Sequence, residues 1–278
     1  MPITTRDQLI DALANGASRI VIDKGSVSLG SGSAGQYASL WRATGTPGQG
    51  AIPGAAEVCT SALVGALPFA NQAAPRRSYL AWLWAVSSAS ATTLEIHDRL
   101  AHMGGLNLSV TTAQTVGVDV QTLGVAADRI GRADFSDLQW WYEVYSPGGA
   151  SSANATFTVT FDDGSTGTLN PLAVGGSLAA GRLFSLDGLR TAAQQGRNIR
   201  GVNSVTLSAS TGAAGSAGIT VTRPRTALPM PVANFSNVAD WAQLGLPDIP
   251  NDACLFPVII PSSTSTGTLR GGGKIVHG

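Results

Sequence analysis

Leu138-Gln139-Trp140-Trp141-Tyr142-Glu143-Val144-Tyr145-Ser146, then Pro147-Gly148-Gly149, then Ala153-Asn154-Ala155-Thr156-Phe157-Thr158-Val159-Thr160-Phe161, closed by Asp162-Asp163-Gly164-Ser165, is the passage on which the fold turns. In its second run Thr156, Thr158 and Thr160 alternate with Phe157, Val159 and Phe161, the period-two pattern of a strand with one buried face. Pro-Gly-Gly breaks the chain before it. Asp-Asp-Gly-Ser supplies a turn after it, because glycine accepts positive φ and aspartate bonds its local backbone.

The same layout of apolar run, small-residue loop and partner run recurs along the chain. It pairs 79–86 with 92–100, 203–210 with 218–223, and 254–261 with 268–276. Each pair reads as a hairpin, and the residue matches are too loose for a sequence repeat. Residues 79–86 are apolar on both faces, with Trp82 and Trp84 on one side, as in a strand covered on both faces. The expected fold is mainly β, an antiparallel β-sandwich or jelly-roll-like architecture.

Upstream, Thr5-Arg6-Asp7-Gln8 has capping-box form, and Leu9, Ile10 and Leu13 follow at helical spacing before Asn15-Gly16. A short N-terminal helix is expected, then a strand at 19–23, with other helical turns only near 187–195 and 237–244. Residues 25–75 lack periodicity and are dense in Gly, Ala, Ser and Pro, yet Tyr37, Leu40, Trp41, Ile52, Leu63, Val64, Leu67 and Phe69 punctuate them. This stretch is expected to be a long extended arm that orders on other surfaces, so that its deletion would leave a folded domain. The division expected is 1–77, helix and assembly arm, and 78–278, β-sandwich, with a break into subdomains near 146–153 or 224–235.

Charged residues are 12% of the chain, and 17 basic side chains balance 17 acidic ones. No net field exists to attract nucleic acid or an anionic membrane, and neither is expected as a partner. Lys24 and Lys274 are the only lysines, so arginine carries almost all the positive charge; guanidinium tolerates desolvated, bidentate pairing better than ammonium. Cys59 and Cys254 lie far apart with no CxxC or Cys/His neighbourhood, and they read as small buried residues rather than metal ligands. The sequence shows no basic-then-apolar leader pattern and no membrane-length apolar run, which suggests folding in the cytosol.

Chemistry-bearing motifs are few. Gly30-Ser31-Gly32-Ser33-Ala34-Gly35 has the form of a dinucleotide fingerprint after a strand at 27–29, but no helix opens after it, so it reads as a glycine loop. His97 and Asp98 point to opposite faces of a strand, and His97 to His102 is a poor ligand spacing, so both histidines read as structural. Asp162 and Asp163 sit in a turn without a calcium-loop pattern. Glu57, Glu95 and Glu143 are the only glutamates, and no carboxylate pair suits glycoside hydrolysis. No catalytic residue, no metal and no cofactor is expected.

An interface is the remaining use for the aromatic and arginine side chains. Its candidates are Tyr37, Leu40, Trp41, Phe69, Arg129, Arg132, Trp140 and Trp141. A carbohydrate-binding sandwich, with Trp41, Trp140 or Trp141 as stacking platforms or the 156/158/160 threonine face as a sugar surface, is the rival expectation.

Leu40-Trp41-Arg42-Ala43-Thr44-Gly45, Ala66-Leu67-Pro68-Phe69, Asp98-Arg99-Leu100, residues 204–212 and Asp240-Trp241-Ala242-Gln243-Leu244-Gly245-Leu246-Pro247 resemble small-residue-rich virion structural proteins of tailed bacteriophages. The resemblance implies a many-copy virion protein assembled in the host cytoplasm, a homo-oligomer whose partners are copies of itself and other virion proteins. Within that class the lack of a long spine helix favours a capsid decoration protein over a shell subunit or tail component.

Overall fold

Along each strand one set of alternate side chains is apolar, so each sheet must bury a face against a second sheet. In the computed structural model, which describes residues 3–26, 34–88, 91–264 and 267–278, that requirement is met twice. The chain forms two compact units, Met1–Ala51 with Thr60–Asp98 and Pro224–Gly278, and Ile52–Cys59 with Arg99–Arg223.

The first unit has eight main strands in chain order, Ser18–Ser26, Ala38–Ser39, Ser78–Ser87, residues 92–98 of strand Thr92–Asn107, residues 224–230 of strand Ser216–Met230, Asn237–Asp240, Leu255–Pro261 and Leu269–His277, with the short strands Thr44–Thr46 and Asp248–Ile249 pairing with the first and third of them. Numbered one to eight, they lie in sheet orders 6-3-8-1 and 5-4-7-2. The second unit repeats this with residues 99–107, Gln114–Asp119, Gln139–Ser146, Asn154–Phe161, Thr166–Thr168, Leu183–Ser185, Ile199–Leu207 and residues 216–223. Its sheet orders are again 6-3-8-1 and 5-4-7-2. Two four-stranded sheets wound in this order make a jelly roll. The second roll is inserted in the chain between the fourth and fifth strands of the first.

That insertion point has a physical reason. In this winding the fourth and fifth strands are the consecutive strands that pair within one sheet, so the chain leaves and re-enters the first roll at neighbouring positions. The first and eighth strands of the second roll are neighbours too. An insert whose ends are already adjacent adds little closure cost to either fold.

The winding corrects the expected hairpins. Residues 139–146 and 154–161 lie in opposite sheets of the second roll, as do 199–207 and 216–223. Residues 78–87 and 92–98, and 255–261 and 269–277, lie in opposite sheets of the first. Small-residue loops serve equally to turn a hairpin or to cross the roughly 10 Å between packed sheets, so loop composition does not reveal the partner. A true hairpin forms at Asp162-Asp163-Gly164-Ser165, where Thr166 pairs with Thr160. Trp140, Tyr142 and Val144 meet Phe157, Val159 and Phe161 in one core. The Tyr142 and Phe157 rings touch edge to face at 5.8 Å between the two sheets.

The N-terminal helix is present at Arg6–Asn15, with Thr5 and Gln8 completing its capping box. Its Leu9 packs with Ala81 and Val276 on the outer face of the first roll's 6-3-8-1 sheet. Strand Ser78–Ser87 is therefore buried on one face and partly covered on the other, with Trp82 and Trp84 half-buried on the outer side.

Residues 34–75 are mostly irregular, but they do not stand off as an arm. Those of the first unit supply its interior: Leu40 and Leu67 join the core, and their backbone N–H groups donate to Pro257 and Leu255 carbonyls at 3.1 and 2.7 Å. Trp41 is buried, sets its ring edge-on to Phe256 at 6.1 Å, and donates from Nε1 to the Ala51 carbonyl at 2.8 Å. Gly50 and Gly65 flank this indole so closely that a Cβ would sit 1.9 Å and 2.5 Å from it. Lys24 Nζ, buried and with its pKa lowered to about 8 by that burial, bonds the Ala43 and Pro47 carbonyls at 3.0 and 2.6 Å. The glycines that suggested a flexible arm are the ones that let backbone close over a tryptophan. Residues 34–51 and 60–75 group with 78–98 and 224–278 in the first unit, and 52–59 group with the second. Of the glycine motif at 30–35 and the strand before it, residues 27–33 lie outside the described residues; Gly35 donates its N–H to the Pro261 carbonyl at 2.8 Å.

Gly50→Ala is expected to lower stability by about 1–3 kcal/mol through overpacking against Trp41. Urea denaturation followed by tryptophan fluorescence measures it, and Gly54→Ala, where an added Cβ meets open space and φ is not left-handed, is the control with the smaller loss.

Candidate functional site

Charge is scarce in this chain, and strand Thr92–Asn107 buries much of it. His97, Asp98, Arg99 and His102 are all 0% exposed. Each of the three glutamates in the sequence pairs on this strand: Glu95 with His97, Glu143 with Arg99 and Glu57 with His102.

In the second roll, Arg99 is the centre. Its Nη2 lies 2.6 Å from Glu143 Oε2, 2.8 Å from the Tyr145 hydroxyl and 2.9 Å from Thr220 Oγ1, and Nε donates to His102 Nδ1 at 3.0 Å. Thr220 Oγ1 donates to Glu143 Oε2 at 2.6 Å. Because Nδ1 of His102 accepts from Arg99, its proton sits on Nε2, which faces Glu57 Oε1 at 2.9 Å. Glu143, Tyr145 and Thr220 alternate with core residues Tyr142, Val144, Ile219 and Val221 and so point away from the aromatic core, while the short strand Glu57–Val58 pairs antiparallel beside Thr92–Asn107 with Glu57 in register with His102. Arg129, also buried, donates to the Cys59 carbonyl at 2.7 Å and the Arg99 carbonyl at 3.0 Å, tying the same strap down.

The electrostatics are those of a clamp. Burial, reinforced by the Arg99 charge, holds His102 down to about 2, so it is neutral across ordinary pH and a feeble base. Burial, which alone would lower the Arg99 pKa, is outweighed by the Glu143 carboxylate, and the guanidinium is held more firmly protonated than usual. Burial and the Glu143 charge push the Tyr145 phenol up. A desolvated pair of this kind holds geometry, and loss of one partner strands the other.

In the first roll, Asp98 plays a similar part. It accepts from Arg225 Nη2 at 3.0 Å and from the Cys254 backbone N–H at 2.9 Å, while His97 holds Glu95 at 2.7 Å and sets its ring edge-on to Phe256.

The expected interface residues fall into two groups. Leu40, Trp41, Arg129, Trp140 and Trp141 are buried. Trp140 donates from Nε1 to the Ile199 carbonyl at 2.7 Å, and Trp141 donates to Thr222 Oγ1 at 2.9 Å. Tyr37 and Phe69 are half-buried, and Arg132 is exposed beside Asp137 at 3.8 Å. Sugar stacking needs an open ring face, which Trp41, Trp140 and Trp141 do not offer. Asp163 accepts from Ser165 N at 2.9 Å and Oγ at 2.7 Å and contacts Arg197; the Ser165 hydrogen bonds, chiefly, hold its pKa down to about 2. Cys59 and Cys254 are both buried. Among the described residues no group of three His, Cys, Asp or Glu side chains converges as a metal site, and no helix is long and apolar enough to cross a membrane.

The Arg99 network escaped sequence reasoning, because its members come from four separated places in the chain. One signal was available: Glu-Ile-His-Asp-Arg-Leu-Ala-His at 95–102 concentrates charge within an apolar strand of a charge-poor protein.

No family model matches the chain, and no curated protein matches it. Solved structures similar to it include that of the infectious bursal disease virus Gt strain, at 8% identity and TM-score 0.20 over 94% of this chain and 79% of that one. Another is the VP2 subviral particle of that virus, at 11% identity and TM-score 0.19 over 94% and 79%. These scores are too low to carry an argument. The functional reading rests on the chain's own topology and surface.

Arg99→Met is expected to cost about 3–5 kcal/mol by stranding Glu143 in the interior, whereas the double variant Arg99→Met with Glu143→Leu recovers part of the loss. Chemical denaturation of the four chains of that cycle measures it. For His102 the folded pKa, about 2, lies below the unfolded 6.5. The unfolded chain therefore binds the extra proton between those values, and the stabilisation, complete above pH 6.5, is lost as pH falls through that window. In His102→Gln the dependence of unfolding free energy on pH between 6.5 and 4 should flatten.

Proposed function

We propose that this chain is a structural subunit of a virus particle, present in many copies and acting through contacts rather than turnover. The observation that carries the reading is the pair of nested jelly rolls with a charge-poor exterior. Jelly rolls recur in capsid, lectin and cupin proteins, and fold alone does not choose among them. The side-chain chemistry favours the first: the buried His, Glu and Arg groups serve as clamps, and the three candidate sugar-stacking tryptophans are interior.

Of the 34 residues counted as Lys, Arg, Asp or Glu, from 17 basic and 17 acidic, Lys24, Asp98, Arg99, Asp119, Arg129 and Glu143 are buried. The exterior is correspondingly poorer in charge, and interface centres are depleted in charge. The resemblance to tailed-phage virion proteins points to a capsid-associated decoration or bracing subunit in the virion, assembled from copies of itself and neighbouring virion proteins. The helices described span at most the ten residues of Arg6–Asn15, which supports decoration over a shell subunit built on a long spine helix. A shell subunit is the second reading, favoured by the jelly-roll winding itself. Tyr37, Phe69 and Arg132 are the sequence-derived interface candidates that remain accessible.

Light scattering and electron microscopy of the purified chain, alone and mixed with emptied capsids, test the proposal. Ordered multimers or capsid coating are expected; a chain that stays monomeric and coats nothing overturns it.

A further inference from the structure

The outer face of the first roll's 6-3-8-1 sheet carries an unusual row. Val238, Trp84, Gly272 and Val21 are consecutive register partners across strands Asn237–Asp240, Ser78–Ser87, Leu269–His277 and Ser18–Ser26. Val238 and Val21, at its two ends, are 49% and 47% exposed. In the middle the Trp84 indole leans on Gly272, where an added Cβ would lie 3.0 Å from Nε1, so the centre of the row is a flat aromatic plate. The next row, again by register, runs Asp240, Trp82, Lys274 and Arg19, with exposed acid at one end and exposed base at the other.

This pattern is complementary to itself. A two-fold axis running along the strands, midway between Ser78–Ser87 and Leu269–His277, exchanges the first strand of each row with the last. It sets Val238 on the partner's Val21, Asp240 against the partner's Arg19, and the two Trp84 plates together at the axis. We infer that this sheet face is the contact between two copies of the chain, an isologous pairing with a tryptophan centre and charged ends. Sheets stacked face to face lie about 10 Å apart, close enough for these side chains to meet. The helix Arg6–Asn15 packs on the end of the face near Ala81 and Val276 and reaches the second row, where the Leu13 carbonyl accepts from Lys274 Nζ at 2.9 Å, while Val238 and Val21 stay exposed. The inference deepens the proposed self-assembly and rests on it.

The test is the double variant Val21→Cys with Val238→Cys, treated with a two-carbon bis-methanethiosulfonate, which extends the roughly 7 Å Cα reach of a disulfide enough to span facing positions about 10 Å apart. Within one chain the two positions are three strand spacings apart, about 14 Å, beyond the reach of so short a bridge. The native thiols are buried. The double variant should give a covalent dimer that reductant reverses, both single variants should give much less, and Arg19→Glu in the double variant should cut the yield several-fold. Equal cross-linking by either single variant overturns the two-fold geometry. No cross-link from a chain that still multimerises in light scattering overturns this face and leaves the assembly reading standing. A chain monomeric throughout defeats both.

Discussion

Both halves of this protein depend on the antiparallel neighbourhood of two long strands, Thr92–Asn107 and Ser216–Met230. In the first roll their outer portions are the fourth and fifth strands, and in the second roll their other portions are the first and eighth. Each jelly roll thus obtains two adjacent strands from one ribbon of chain. The residues between them, 108–215, have to fold into the remainder of the second roll, whose strands pair with partners far away in sequence. Such non-local pairing makes the loop-closure cost large and the native register highly specified.

The ribbon is also where the chain concentrates its buried charge. Successive residues Asp98 and Arg99 anchor clamps in different units, Asp98 to Arg225 and the Cys254 backbone, Arg99 to Glu143, Tyr145, Thr220 and His102. Desolvated ion pairs add little net stability compared with apolar packing, but they penalise every alternative in which a partner is lost. For two rolls with the same winding and similar Val, Ile and Leu strands, that penalty discriminates between correct and exchanged strand partners. A protein that spends glutamate only three times, and each time on this strand, places its charge where register must be fixed.

Function follows from what is left outside. With catalytic-type groups locked in clamps and tryptophans 41, 140 and 141 inside, the exterior offers small residues, short polar side chains and a few apolar rows. A surface of that kind gains by being covered, and weak contacts repeated by symmetry add up without any single one being strong.

The amino-acid sequence by itself determined the class of structure. Period-two alternation at 153–161 and the dense turns declared an antiparallel β protein, and Thr5 and Gln8 declared the N-terminal helix. Those are local properties, set by side-chain period and capping chemistry. Which strands pair, that 147–152 crosses between sheets instead of turning a hairpin, that residues 34–75 line a core, and that Glu57, Arg99, His102 and Glu143 meet were decided only in the tertiary structure. Each of these depends on partners brought together from distant parts of the chain, and neither loop composition nor local apolar pattern carries the identity of a distant partner.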